Sequence, residues 1–262
     1  MAAAQYPAVS RSGSIDVPGA SLGWSAAGDG EPIALVHAGI ADQRMWEPLL
    51  ARLTPSRTVV RYDMRGFGQT VSDPGSFSPV DDLVAVLDSL ELDAVTVVGA
   101  SFGGLIALSA AALVPDRVRA LVLLGALVPG VEPSAEMVRY GTAEEQAFEA
   151  LDLDRAIELN LGMWVDRTNR DPEVRVLVAH MTRRSLELQL AAEPDPELPD
   201  LDLSAIKTPT TVAIGTGDVS DFQEMAEVLA RQLPNATLHT IEGAGHLLAL
   251  ERPDEVAELI LR

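Results

Sequence analysis

The amino-acid sequence predicts an α/β fold in which a mostly parallel central sheet is flanked by helices and carries a helical insertion. Three observations support this fold class. Short apolar runs alternate with helical patterns along most of the chain. The apolar runs are nearly continuous, which is typical of strands that are buried on both faces of a sheet. The chain has 262 residues, 47% of them hydrophobic, which is enough to bury a large core.

Short, β-branched apolar runs are predicted to form the strands of the sheet, because each one ends in a glycine or a turn. They are Pro32–His37, Arg57–Tyr62, Ala94–Gly99, Arg119–Leu124, Thr210–Gly215 and Ala236–Ile241.

Helical patterns lie between these strands. Apolar residues recur there at the spacing of one helix face, or the segment is rich in Ala and Leu and ends before a proline. Because strands alternate with helices, βαβ units with right-handed crossovers are expected. The predicted helices are Pro79–Leu90, Phe102–Val114, Asp221–Leu233 and Glu251–Leu261.

One region interrupts the alternation. Residues 131–203 contain no convincing strand, and helices are predicted from Asp152 or Asp154 to Val165 and over Pro172–Ala192. We interpret this region as a helical cap inserted into a core domain, with an ordinary pair of covering helices as the alternative. The core domain then comprises residues 1–130 and 204–262.

Charge and composition exclude several functions. The net charge is −20, so the surface repels nucleic-acid phosphates and anionic lipid, and neither partner is expected. No stretch approaches the ~20 apolar residues of a transmembrane helix. The first ~12 residues are small and polar and carry no secretory signal, so they are expected to be loosely ordered.

The absence of cysteine excludes disulfides, thiolate metal sites and a cysteine nucleophile. It fits a reducing compartment, and we expect a cytoplasmic protein. No metal-ligand cluster or phosphate-binding glycine motif is present in the sequence, so no metal or cofactor is expected.

A Gly-x-Ser-x-Gly sequence at residues 99–103 lies between a predicted strand and a predicted helix. In this context the central Ser101 is placed on a tight turn, where its hydroxyl projects above the sheet as a nucleophile. The N–H of the next residue, Phe102, then lies at a helix N-terminus that favours negative charge. The alternative is that Ser101 only caps the helix.

A serine nucleophile requires a base near neutral pH. His246 lies in a glycine-flanked loop after the last predicted strand and can reach the top of the sheet. The other histidines fit this role less well. His239 lies within a strand, His180 lies in the middle of a predicted cap helix, and His37 is expected to hold its own turn by hydrogen bonds.

A carboxylate must orient that base. Asp218 follows the strand Thr210–Gly215 in a Gly-Thr-Gly-Asp loop, and we predict that it orients His246. Asp221 is a competitor that better suits the N-cap of the next helix. Glu132, after the preceding strand, is a weaker alternative.

Backbone donors for an oxyanion are predicted at two turns. A small-residue turn follows the strand Pro32–His37, and Gly39 is assigned as one donor, with Ile40 next in line. The N–H of Phe102 is assigned as the other.

Together these residues resemble the α/β-hydrolase superfamily, in the branch of small bacterial esterases, lactonases and cofactor-free haloperoxidase-like proteins. The likeness covers about residues 28–261, and the chain order Ser, Asp, His is the order of that fold. The stretch from Tyr62 to Thr70 resembles the Asp-x-Arg-Gly-x-Gly-x-Ser turn of the family, with Thr70 in place of serine. Two further departures are Ala38, where glycine is common, and Ala100, where histidine is common.

The resemblance implies an α/β-hydrolase fold and a Ser-His-Asp esterase or lactonase that acts on a small-molecule carboxylic ester or lactone. C–C bond hydrolysis of a β-diketone or dienoate, and a perhydrolase or non-hydrolytic role, are the alternatives. Dehalogenase and epoxide hydrolase activities are disfavoured, because those relatives use aspartate where this chain has Ser101. We expect Ile40, Trp164 and Leu247 to contact the substrate. The natural substrate and the oligomeric state cannot be predicted from the sequence.

Overall fold

The computed structural model of the chain describes residues 11–169 and 171–262. The strands form one nine-stranded sheet, apart from a separate pair made by β6 and β9. They are β1 (Arg11–Val17), β2 (Ala20–Ala27), β3 (Glu31–Val36), β4 (Arg57–Tyr62), β5 (Val71–Ser72), β6 (Gly75–Phe77), β7 (Val95–Ala100), β8 (Val118–Leu124), β9 (Pro194–Pro196), β10 (Thr210–Gly215) and β11 (Ala236–Ile241).

The helices lie mostly between strands, as the alternating pattern predicts. They are α1 (Glu47–Leu53), α2 (Pro79–Ser89), α3 (Phe102–Leu113), α4 (Ala135–Glu149), α5 (Leu153–Trp164), α6 (Pro172–Ala192), α7 (Ser220–Gln232), α8 (Leu248–Glu251) and α9 (Pro253–Leu261).

The main sheet has the strand order β1-β2-β4-β3-β7-β8-β10-β11, with β5 paired to β2. Six adjacent strands of this order run parallel to one another, namely β4, β3, β7, β8, β10 and β11. Strands β1 and β2 add an antiparallel edge. The predicted fold class is therefore confirmed. Because the parallel strands all end at the same edge of the sheet, the loops that follow β3, β7, β8, β10 and β11 meet there.

The core lies on both faces of the sheet. On β7, Val97 belongs to a hydrophobic cluster on one face and Val98 to a cluster on the other, and both are fully buried. A strand that is apolar on both faces has no polar alternation, which explains why the apolar runs located these strands correctly.

The N-terminal hairpin β1–β2 was not predicted. Its sequence is rich in Ser and Gly, and most residues of β1 are exposed, so it gives no continuous apolar run. Strand β1 begins at Arg11, so the end of the segment expected to be loose is part of a strand, and the rest of that segment lies outside the described residues.

The helical insertion consists of α4, α5 and α6, between β8 and β10. The sequence predicts α5 and α6 almost to the residue and misses α4. We call this insertion the cap, and its boundaries at residues 131 and 203 stay a prediction. The cap is tied to the core by the short pair β6–β9, in which the Ser76 hydroxyl donates to Asp195 at 2.8 Å. Within the described residues, no helix combines the length and apolar character needed to cross a membrane.

Candidate active site

Ser101 lies at the sharp turn between β7 and α3, with φ 53° and ψ −117°. This is a conformation that a residue other than glycine rarely adopts, and such strain costs about 1–3 kcal/mol. The Ser101 N–H donates to Leu124 O at 3.0 Å, and Ser101 O accepts from Leu127 N–H at 3.0 Å. Its side chain forms no capping hydrogen bond to α3, so the alternative role as a helix cap has no support.

The two glycines of the motif allow close backbone packing at this turn. A Cβ atom at Gly103 would overlap the Val36 carbonyl of β3, and one at Gly99 would overlap the Gly103 carbonyl. The motif therefore packs the start of α3 directly against the ends of β3 and β7, which holds Ser101 above the sheet edge.

His246 and Asp218 form a buried pair. His246 Nδ1 lies 2.9 Å from Asp218 Oδ2, and the two residues are 6% and 5% exposed. The other carboxylate oxygen of Asp218 accepts the Val219 N–H at 2.8 Å. Because an ionised carboxylate only accepts hydrogen bonds, Nδ1 donates the proton and Nε2 keeps a free lone pair.

Gly125 links this pair to Ser101. It directly follows Leu124, whose carbonyl accepts the Ser101 N–H. A Cβ atom at Gly125 would lie 3.3 Å from Asp218 Oδ2 and 3.4 Å from His246 Nδ1. The three predicted residues thus meet around the end of β8. Within residues 11–169 and 171–262 the Ser101 hydroxyl forms no hydrogen bond, so a direct Ser101–His246 bond is not made in this structure.

Aromatic rings enclose the imidazole of His246. The Trp164 ring of the cap lies 4.5 Å from it and the Phe222 ring of α7 lies 4.4 Å from it, measured between centroids. Trp164 is held in turn by Tyr140 of α4, because its Nε1–H donates to Tyr140 OH at 2.9 Å. The cap therefore supports the ring of the candidate base, a contact that the sequence did not reveal.

The two predicted oxyanion donors lie side by side. A Cβ atom at Gly39 would contact the Cβ atom of Phe102 at 3.6 Å. Phe102 is the first residue of α3, where backbone N–H groups have no acceptor within the helix. Ile40, the alternative donor, faces the cap with its carbonyl, which accepts from Thr182 Oγ1 at 3.1 Å.

A cavity of about 250 Å³ opens beside Gly39 and Phe102. Its walls are mostly apolar and come from the core, from β6 and β9, and from the end of α6. They are formed by Gly39, Met64, Arg65, Phe67, Phe77, Pro79, Phe102, Ile106, Gln189, Pro194 and Pro196.

The residues expected to contact substrate do not line this cavity. Trp164 packs on His246, Leu247 is buried in the loop that carries His246, and Ile40 adjoins Gly39 without lining this cavity. Their contact with substrate stays a prediction. Phe77 and Pro196 gave no sequence signal, because no motif contains them and only the β6–β9 pairing brings them to the site.

The charged side chain that lines the cavity, Arg65, is neutralised by an ion pair with a residue of α2. Arg65 forms a bidentate pair with Asp82 of α2, with both N–O distances at 2.8 Å, and the two side chains are 9% and 5% exposed. Its guanidinium also lies 4.6 Å from the centroid of the Phe77 ring. Arg65 therefore offers the cavity little uncompensated positive charge.

The remaining histidines take the positions that the sequence predicts. His37 is fully buried, its Nδ1 donates to Ala38 O at 2.9 Å, and its Nε2 accepts the Met64 N–H at 3.1 Å. Burial lowers the pKa of His37, although the nearby Asp63 opposes this effect. His239 lies within β11, and His180 is exposed on α6.

The competing acids do not face His246. Asp221 lies inside the first turn of α7, which begins at Ser220, so it is not the N-cap. Its Oδ1 accepts the Ser134 N–H at 2.6 Å and fixes the start of the cap. Burial opposes its ionisation, but the hydrogen bonds from Ser134 and Ser220 outweigh burial and lower the pKa of Asp221. Glu132 is exposed.

Comparison with known proteins identifies the family of the chain. A sequence model described as the alpha/beta hydrolase family matches residues 33–259. The chain belongs to the alpha/beta hydrolase family. Relatives and similar structures support a hydrolase, although their reactions differ.

Two curated relatives of this hydrolase come from Pseudomonas putida. A 2-hydroxy-6-oxo-2,4-heptadienoate hydrolase is 39% identical over 131 residues, which is 43% of this chain and 48% of that protein, so the match spans about half of the relative's length. A 2-hydroxymuconate semialdehyde hydrolase is 30% identical over 250 residues, 89% of this chain and 86% of that protein. Among solved structures, a thermophilic esterase from Thermogutta terrifontis has a TM-score of 0.82 at 27% identity and covers 96% of this chain and 97% of its own.

The family landmarks have structural roles in this α/β hydrolase. Asp63, which opens the predicted turn, accepts the N–H groups of Gln43 at 2.8 Å and Gln69 at 2.9 Å. Thr70, in place of the usual serine, keeps the hydroxyl, which accepts the Gly23 N–H at 3.0 Å and donates to Asp63 O. The substitution of threonine for serine therefore preserves the turn.

Proposed function

We propose that this α/β hydrolase cleaves a carboxylic ester or lactone through an acyl-enzyme, with Ser101 as nucleophile, His246 as base and Asp218 as orienting acid. The observation that carries the proposal is the buried hydrogen bond between His246 and Asp218 beside the strained turn of Ser101. A chain without cysteine suits a reducing compartment, and we place the activity in the cytoplasm.

The reaction follows from the arrangement of these groups. His246 Nε2 accepts the hydroxyl proton while Ser101 Oγ attacks the carbonyl carbon, and the N–H groups of Gly39 and Phe102 donate to the oxyanion. Asp218 stabilises the imidazolium. His246 then gives its proton to the leaving alcohol, which departs as the acyl-serine forms. Water, deprotonated by His246, attacks the acyl group and releases the carboxylic acid and Ser101.

The missing Ser101–His246 hydrogen bond is compatible with this mechanism. Catalytic hydrogen bonds are often long or poorly aligned without substrate and tighten in the complex. Gly125 lies against the imidazole of His246 and directly follows Leu124, whose carbonyl accepts the Ser101 N–H, so both groups are at the end of β8.

The cavity supports a neutral, apolar acyl group of moderate size. Its volume is about 250 Å³, it adjoins the two oxyanion donors, and aromatic and proline rings form much of its wall. Among the described residues that line it, the one ionised side chain, Arg65, is paired with Asp82. A negatively charged acyl chain would therefore lose hydration without gaining a free cation.

C–C bond hydrolysis is the second candidate, and the names of the Pseudomonas putida relatives favour it. The substrates in those names, a dienoate and a muconate semialdehyde, carry a carboxylate. The paired state of Arg65 argues against such a substrate in this cavity, so we rank ester or lactone hydrolysis first.

The decisive experiment compares the wild type with Ser101→Ala on a panel of p-nitrophenyl esters, lactones and a 2-hydroxy-6-oxodienoate. We expect the wild type to cleave short neutral esters with the highest kcat/KM. Ser101→Ala should lose at least about 10³-fold in kcat, because the nucleophile is removed.

Labelling with a fluorophosphonate gives an independent result. We expect one adduct on Ser101 in the folded wild type and none in Ser101→Ala. Ser109→Ala is the matched control, since Ser109 lies buried in α3, the helix that follows Ser101, and its hydroxyl donates to Leu105 O. No labelling of the folded wild type, or full esterase activity in Ser101→Ala, would refute the proposal, and preference for the dienoate would favour the second candidate.

A further inference from the structure

The carboxylate of Glu251 accepts two hydrogen bonds from the loop that carries His246. Its Oε2 accepts the Gly245 N–H at 2.9 Å, and its Oε1 accepts the Leu247 N–H at 3.2 Å. These are the backbone groups immediately before and after His246. One side chain at the end of α8 therefore fixes the peptide units on both sides of the candidate base.

The same carboxylate also binds the cap. Thr168, which lies between α5 and α6, donates its hydroxyl to Glu251 Oε2 at 2.7 Å. A Cβ atom at Gly245 would overlap the Thr168 hydroxyl, and one at Gly217 would overlap the Thr168 methyl group. The side chain of Thr168 thus packs against Gly245, which precedes His246, and against Gly217, which precedes Asp218.

From these contacts we infer that Glu251 is a positioning residue for His246, and that Thr168 couples the seating of the cap to the alignment of His246 with Asp218. The inference rests on the proposed function, since it assumes that His246 is the base. Glu251 hydrogen-bonds the backbone on either side of His246 and acts through it, whereas Trp164 of the same cap segment packs on the imidazole itself.

The physical reason is geometric. A base must be aligned to within a fraction of an ångström, and a misplacement of about 1 Å can cost about 10²-fold in rate. Hydrogen bonds to an ionised acceptor are stronger than neutral ones, so a carboxylate holds the two N–H groups better than an amide would. Because Thr168 covers Gly217 and Gly245, a displacement of the cap would expose the loops that carry Asp218 and His246.

The test uses Glu251→Gln, Thr168→Val and the double variant, with Glu258→Gln as the matched control on an exposed position of α9. Glutamine keeps one acceptor oxygen and replaces the other with a donor. We expect Glu251→Gln to lower kcat about tenfold with KM nearly unchanged. Thr168→Val keeps the shape and should lower kcat about threefold. The double variant should match Glu251→Gln alone, because the two residues act through one contact.

Nuclear magnetic resonance separates positioning from general loss of stability and from failure of the proposed function. We expect the His246 Nδ1–H resonance to shift or broaden in Glu251→Gln and to stay unchanged in Glu258→Gln. If the wild type cleaves no ester but this resonance still changes, the proposed function fails and the positioning role stands. Wild-type kcat and an unchanged resonance in Glu251→Gln, or additive losses in the double variant, would overturn the inference.

Discussion

At the scale of single residues, His37 shows how burial selects a protonation state. Its ring donates from Nδ1 to Ala38 and accepts at Nε2 from Met64, so only the neutral form satisfies both bonds. Protonation would replace the Met64 hydrogen bond with a repulsive contact between two donors. Burial lowers the pKa of His37 in agreement with this arrangement.

The lowered pKa of His37 predicts a loss of stability in mild acid. Below the ordinary histidine pKa of about 6.5, His37 binds a proton in the unfolded chain but stays neutral in the folded chain. The stability that is present above that pH is therefore lost as the pH falls. We expect the free energy of unfolding to decrease by up to about 2 kcal/mol from this group between pH ~7 and ~5. Urea unfolding at several pH values measures it.

The control for this effect is His37→Asn, which is expected to be less stable throughout but to depend less on pH over the same range. Other titrating groups are common to both proteins and cancel in the difference. Equal pH slopes for the wild type and His37→Asn would show that His37 does not carry the effect.

The sequence predicted the residues of the candidate site better than its cavity. Ser101, Asp218 and His246 each follow a strand, and the ends of parallel strands converge, so sequence position was sufficient to bring them together. Phe77 and Pro194 reach the cavity through a three-residue pairing between distant segments. No local pattern encodes that pairing, and it could be found only from the structure.

At the scale of elements, buried segments are easier to predict from the sequence than polar ones. Strands β3, β4, β7, β8 and β10 of the parallel sheet are largely buried and therefore stand out as apolar runs. Helix α4 has one buried residue, Ala147, and a largely polar sequence, so periodicity could not identify it. Ser134 is the N-cap of this helix, and its hydroxyl accepts the Met137 N–H at 3.2 Å, a local capping signal that hydrophobic periodicity does not detect.

Helix α2 sets the charge of the cavity, because it carries Asp82. Replacing Asp82 with Asn removes the negative partner of a buried guanidinium, and breaking such a pair costs about 3–5 kcal/mol. We expect lower stability in Asp82→Asn, together with a roughly tenfold rise in kcat/KM for a dicarboxylate half-ester relative to a neutral ester. Kinetics on the two esters measures this ratio.

Asp81→Asn is the matched control, since Asp81 is exposed on the same helix turn. It should leave both the stability and the substrate ratio near the wild-type values. An unchanged ratio in folded Asp82→Asn would mean that the acyl group does not enter this cavity.

At the scale of the whole molecule, the net charge of −20 dominates long-range electrostatics. Most ion pairs of the described residues lie at the surface, such as the pairs of Arg175 with Glu158 and Asp166, and such pairs contribute little individually. We expect repulsion among the many surface carboxylates to outweigh these pairs. Salt screens this repulsion, because the Debye length falls from about 30 Å at 0.01 M to about 3 Å at 1 M.

We therefore expect the Tm to rise by several degrees between about 0.02 M and about 0.5 M NaCl, as differential scanning calorimetry would measure. A variant with Glu145→Gln, Glu149→Gln and Glu258→Gln, all exposed positions, should have a higher Tm at low salt and a smaller response. Glu149 adds to this effect because it ends α4, where the helix dipole disfavours a negative charge. A Tm that falls with salt would instead show that the surface ion pairs stabilise the molecule more than carboxylate repulsion destabilises it.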